Sequence, residues 1–183
     1  MRVFSPSLLA TAVVAFALTT TYAFGFDLAG SVFDRAGRQA GIDPRLLYAV
    51  ALGESAFGQG NGSVGPHPWT LRAPDRPVYS QSRADAEAAL RALIERHGLM
   101  IDVGLMQINL HWHRRNITDP TALLDPAVNL QTGAKILAQT IASAPGDLEL
   151  GIGRYHNWRD ESRARNYGSR ILAILRNLEN LKP

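Results

Sequence analysis

One carboxylate stands where a carboxylate is expensive. Residues Tyr48–Gly58 read YAVALGESAFG, apolar apart from the adjacent pair Glu54-Ser55. A charged side chain inside such a run is rare unless it is paired or does chemistry. Desolvation would raise the Glu54 pKa and keep a proton on it near neutral pH. A carboxylic acid in that state can protonate the leaving oxygen of a glycosidic bond. A buried arginine partner, or a role capping a neighbouring helix, would make Glu54 a structural ion instead. The pattern alone leaves both readings open.

Other reactive residue types are less well placed. Two-carboxylate glycosidases hold their acids about 5 Å or about 6.5–9.5 Å apart. The nearest second acid is Asp102, ahead of the stretch GLMQ, where a turn or capping role is the simpler expectation. His111-Trp112-His113 offers two metal-ligand types on an expected strand, with no third in register, so surface or packing roles are expected. Trp69 and Trp112 have flat faces that suit a pyranose ring or a packed lid equally well. GQGNG at Gly58–Gly62 follows a helix rather than a strand and is no phosphate loop. Lys135 and Arg170 fall on expected solvated helix faces.

The elements that must position Glu54 are helical. Residues 27–40 suggest a first helix, ending at Gly41. The next, IDPRLLYAVALGESAF, starts with Asp43 as N-cap and Pro44 in its first position, and Gly58 begins its exit. On its helical wheel Leu46, Phe57, Val50, Leu47 and Ala51 share one arc, and Glu54 lies within that arc. Residues 58–80 are loop-like, with a short hairpin expected around Trp69–Leu71 and Val78–Tyr79. A third helix runs from Ser82 to Gly98, with Ala86, Ala89, Leu90, Leu93 and Ile94 on its buried face. MIDVGLMQINLHWH reads as a turn plus a short helix or strand. Asp125-Pro126 opens a helix facing inward with Leu130, Ala134, Leu137 and Ile141, and Asp147 opens a short one toward Tyr155. The last, roughly 161–180, turns Tyr167, Ile171, Ile174, Leu175 and Leu178 to one side. Five or six helices with little strand predict a mostly α domain.

Composition narrows the functional classes. At 183 residues the chain fits one domain. Its 19 Lys+Arg against 16 Asp+Glu are scattered, without the dense basic block that nucleic-acid binding usually needs. Zero cysteines exclude disulfides, thiol catalysis and thiolate metal sites. At the N-terminus, Arg2 is the only charge before Asp27, and Leu8–Leu18 (LLATAVVAFAL) is shorter than the about 20 residues of a membrane span. With a small-residue ending at Ala23, residues 1–23 read as an export signal, leaving 24–183 as a periplasmic working domain. Contact with a membrane is expected only if that signal stays uncleaved.

Four motifs occur in order: ALGESAF, VGLMQIN at Val103–Asn109, AVNLQTGAKIL at Ala127–Leu137 and GRYHNW at Gly153–Trp158. Together they resemble the soluble lytic transglycosylases, which have a goose-lysozyme-like fold. The likeness covers roughly residues 40–175. It is greatest to the small exported members that accompany type IV secretion, conjugation and pilus systems. Those members carry a loop-and-helix insertion between the first two motifs, here about 58–98.

The resemblance implies a lysozyme-like single domain acting on peptidoglycan glycan strands, with no cofactor or metal, and with secretion or conjugation components as partners. It implies Glu54 as the single catalytic acid and base, and Ser55 near the glycan or steadying the carboxylate. Gly104, Leu105, Met106 and Gln107 would form the cleft wall, Met106 packing on a sugar and Gln107 bonding to it. Tyr155 would bring its hydroxyl beside Glu54. The family has Asn directly after that tyrosine; here His156 takes the place and Asn157 follows. The implied reaction cleaves the bond between N-acetylmuramic acid and N-acetylglucosamine and closes an anhydro ring. A hydrolytic muramidase using Asp102, or a non-catalytic glycan-binding assembly component, are the rival readings.

Overall fold

The computed structural model describes residues 26–60, 62–115 and 117–181. The expected export signal at 1–23 lies outside them. Helices dominate. Five form the body: α1 Val32–Ala40, α2 Pro44–Ser55, α5 Pro126–Ala142, α6 Leu148–His156 and α7 Glu161–Glu179. Between α2 and α5 the chain builds α3 (Arg83–His97), the single turn α4 (Leu110–His113) and a 3-10 turn at Pro120–Leu124.

Local chemistry sets the helix ends. Asp43 and Asp125 each accept backbone N–H groups of the following turn, and each is followed by proline, whose missing N–H costs nothing there. Ser31, Ser82, Asp147 and Asp160 cap α1, α3, α6 and α7 in the same manner. The expected first helix starts late, at Val32, because Asp27 folds back to accept from Ala29 and Ser31 takes the cap. α2 ends at Ser55, short of the expected Phe57. Ala56–Gly58 becomes strand β1 instead, paired antiparallel with β2, Val64–Pro66. Phe57 therefore leaves the helical arc and stacks on Tyr79 at 4.9 Å.

Leu46, Leu47, Val50 and Ala51 of α2 bury against Leu130, Ala134 and Leu137 of α5, Ile152 of α6 and Ile171 of α7 in one core. α6 and α7 touch backbone to backbone. A Cβ on Gly153 would overlap the Ala164 carbonyl, and one on Gly168 the Glu149 carbonyl. Only glycine permits that approach.

A second, four-stranded sheet packs Leu71, Val103 and Ile108 into the same core. Its order is β4 (Pro77–Tyr79), β3 (Thr70–Arg72), β5 (Asp102–Val103), β6 (Ile108–Asn109), antiparallel throughout. The β3–β4 hairpin falls where it was expected, and residues 58–98 carry β2, β3, β4 and α3. The seven α-helices among the described residues exceed the expected five or six chiefly through α4, inside the segment read as turn plus short helix or strand. The result is a mostly α domain with small sheets.

Candidate active site

A cleft of about 690 Å³ opens between the sheet and the last two helices. The end of α2 supplies Gly53 and Glu54. The sheet side supplies Arg72, Asp102, Gln107 and Asn109, and α4 supplies Trp112 and His113. α6 and α7 supply Tyr155, His156, Arg163, Asn166, Tyr167 and Arg170.

Glu54 is half-buried in the last turn of α2. Its partner is a phenol: the Tyr167 hydroxyl donates to Glu54 Oε1 at 2.5 Å. No ion pair joins Glu54 to any described residue, so the reading of Glu54 as the partner of a buried arginine finds no arginine. Burial is the main cause that pushes its pKa up from 4.5 to about 7. The Tyr167 hydrogen bond works against the rise, the Asp102 charge adds to it, and the Arg170 and Arg72 charges oppose it. Such a carboxyl can hold a proton in neutral solution and release it within the same pH range, as a group alternating between acid and base must.

The loop Gly104–Gln107, which brings Gln107 to the cleft, is fastened from three sides. The Ser55 hydroxyl donates to the Leu105 carbonyl at 2.9 Å and also reaches Ala51 O at 3.0 Å. Tyr155 OH donates to the Met106 carbonyl at 2.7 Å. From α5, Asn129 accepts from Met106 N–H through Oδ1 and donates through Nδ2 to the carbonyls of Val103 and Leu123, each at 2.9 Å. Every polar atom of that buried amide works to hold the loop. Gly104 and Gln107 both adopt positive φ, 79° and 45°.

The family model described as transglycosylase SLT domain matches residues 31–168. The chain belongs to that family. No curated protein and no solved structure matches it.

Within this SLT domain the expected site residues divide sharply. Glu54, Gln107, Tyr155 and His156 line the cleft. Met106 does not: its side chain is fully buried against Gly133, because the left-handed turn at Gly104 sends it downward into the core. Leu105 is likewise core, and Ser55 is a buried fastener that touches the loop rather than the carboxylate. Gln107 spends its amide N–H on Thr70 O and Gly104 O, at 3.1 and 2.8 Å, while its buried Oε1 has no partner among the described residues.

Tyr155 stands near enough for the Glu54 charge to raise its own pKa after burial has done so, yet its hydroxyl is committed to Met106. The hydroxyl beside Glu54 belongs to Tyr167, expected only as a core residue of α7. Asn157 is a turn residue, accepting from the N–H groups of Arg159 and Asp160. His156 holds the cleft position and lies flat on the Tyr167 ring, centroids 4.7 Å apart and planes 3° from parallel.

Asp102 is more than a turn residue. It faces the cleft, accepts from Asn109 Nδ2 at 2.8 Å, and is held above the usual carboxylate range by burial, against the opposing pull of that bond and of Arg72 and His156. Arg170 lines the cleft rather than a purely solvated face. His111 and His113 sit on the helical turn α4, not on a strand, and residues two apart on a helix face different ways. Trp112 is 66% exposed at the cleft edge, a flat apolar face open to solvent.

Proposed function

We propose that this SLT domain is a peptidoglycan lytic transglycosylase. The observation that carries the reading is Glu54: one half-buried carboxyl, bonded to a phenol, with a pKa of about 7. With Oε1 accepting from Tyr167, the other oxygen carries the proton toward the glycan. Glu54 gives that proton to the oxygen leaving the anomeric carbon of N-acetylmuramic acid. The muramic acetamido group stabilises the positive centre as the bond breaks. Carboxylate Glu54 then takes the proton of the C6 hydroxyl, whose oxygen closes on the anomeric carbon. The products are a free N-acetylglucosamine end and a 1,6-anhydro-muramic end. No water is consumed, and one carboxylate serves both steps because the first leaves it as the base the second requires.

Mass spectrometry of digested wall material tests this directly. Anhydro-muramic ends are expected; reducing muramic ends would replace this reading with hydrolysis. Asp102 favours that second reading, since it places another desolvated carboxyl in the same cleft, where it could activate water.

The proposed setting is the periplasm, reached through residues 1–23 as an export signal, and the proposed use is local opening of the wall for a secretion or conjugation apparatus. The resemblance of the four motifs supports that use. Fractionation of cells making the full chain should recover it in the periplasm; retention in the cytoplasm would overturn the setting.

A further inference from the structure

Three guanidinium groups line the cleft, Arg72 from the sheet wall and Arg163 and Arg170 from the facing α7 wall. Arg72 is exposed at the end of β3, where its Cα pairs across the ladder with that of Asp102. Arg163 and Arg170 are exposed on α7. Seven residues make almost two full turns, so both point from the same face. Arg72 has no ion-pair partner among the described residues, since Asp102 is bonded to Asn109 instead. Arg170 lies over the Tyr167 ring at 5.3 Å, and among the described residues Arg163 ion-pairs only with the exposed Asp160, at 3.4 Å. All three charges bear on His156 between them: after burial, Arg170, Arg72 and Arg163 each help to keep it neutral, with Asp102 opposing.

The counter-charge is small. The cleft holds two carboxyls, Glu54 and Asp102, and the first is protonated through most of the acid range. Even with Asp160 set against Arg163, the cleft carries more cation than carboxylate while Glu54 is protonated, an excess suited to an anion. Arginine forks in particular match carboxylates.

We propose that Arg72, Arg163 and Arg170 bind a carboxylate carried on the lactyl arm of the muramic residue, so that the cleft selects an acidic glycan over a neutral one. The identity of the glycan rests on the transglycosylase reading. The alternating sugar backbone of peptidoglycan is itself uncharged. Its anionic groups are the lactyl carboxylate, when no peptide is attached, and the carboxylates of the peptide stem, when one is. A glycan of N-acetylglucosamine alone has neither.

The test is binding, made with the full chain carrying Glu54→Gln so that ligand is not consumed. Calorimetry would compare peptide-bearing glycan oligomers, the same oligomers stripped of peptide by an amidase, and N-acetylglucosamine oligomers of equal length. Adding Arg72→Gln and Arg163→Gln together should weaken binding of the acidic ligands about tenfold, the scale of losing charge-assisted hydrogen bonds. The neutral ligand should bind as before. Both positions are exposed, so folding is not at stake. A loss confined to the stripped oligomers assigns the lactyl carboxylate, which exists only there; a loss confined to peptide-bearing oligomers assigns the stem; a shared loss assigns a site that takes either carboxylate. Equal weakening for the neutral ligand, unchanged binding of the acidic ones, or no binding of any of the three overturns the proposal. Failure of the transglycosylase reading looks different: wild-type chain would yield no anhydro ends, whatever the charge dependence of binding.

Discussion

Tyr155 and Tyr167 stand on neighbouring helices that touch through glycine, and both bring a hydroxyl into the same cleft. They do unlike things with it. Tyr155 donates to the Met106 carbonyl, a group that never changes charge. Tyr167 donates to Glu54, a group that must change charge in every turnover of the proposed reaction. The first bond is worth the same at any pH where the fold exists. The second is worth most when Glu54 is a carboxylate, and so it opposes the desolvation that holds the proton on. One tyrosine fixes the loop that carries Gln107; the other sets how readily the acid ionises.

Removing the titrating partner breaks the comparison most completely. Glu54→Gln leaves the Tyr155–Met106 bond intact and should lower release of soluble glycan fragments by at least ~10²–10⁴-fold, the usual weight of a positioned acid. Turnover rates of purified wall material measure it.

The same variant has a second consequence, in stability. Folded Glu54 keeps its proton to about 7, against an ordinary value of 4.5. A folded-state pKa above the unfolded one contributes stability that is full below about 4.5 and lost as pH climbs through about 7. Relative to Glu54→Gln, the wild type should therefore lose on the order of 2–3 kcal/mol across that window. Urea unfolding curves at pH 4 to 8 follow the difference.

The two tyrosines can then be separated. Tyr155→Phe orphans the Met106 carbonyl and should cost about 1–2 kcal/mol of unfolding free energy while the pH–rate profile keeps its shape. Tyr167→Phe should do the reverse. Loss of the phenol removes a bond that favours ionised Glu54, so the falling alkaline limb of activity, near pH 7 in the wild type, moves to higher pH. Its peak rate should change only about fivefold, the equivalent of ~1 kcal/mol for one hydrogen bond. Equal pH shifts in both variants would erase the distinction.

How much of this was legible in the chain depended on whether the signal was local. Asp43-Pro44, Asp125-Pro126 and the Ser82…Gly98 pair are start and stop chemistry contained in a few residues, and they marked real helix ends. Glu54 was legible because a carboxylate inside an apolar arc conflicts with burial. Strands of two or three residues carry no usable alternation, so β1 was read as the tail of α2. Tyr167 was hidden for a different reason. It lies 113 residues from Glu54 and falls on the buried stripe of α7 with Ile171, so its ring obeys the core pattern. Only the last atom of the side chain departs from it. Met106 went wrong the other way: an apolar residue in a tight turn can point up into a cleft or down into a core, and periodicity cannot say which. Asn129 gave no sign, because a buried amide that binds three backbone groups looks from the sequence like any polar residue on a helix.

Gln107 sits among all these partners with its backbone in a left-handed conformation, which a side chain makes unfavourable by about 1–3 kcal/mol. Glycine would relieve that cost but forfeit the amide's bonds to Thr70 O and Gly104 O, each worth about 1 kcal/mol. The strain and the two bonds nearly cancel, so Gln107→Gly should leave the melting temperature almost unchanged while removing the side chain from the cleft. The turn is thus a place where the side chain can be changed for what it presents to the cleft at little cost to the fold.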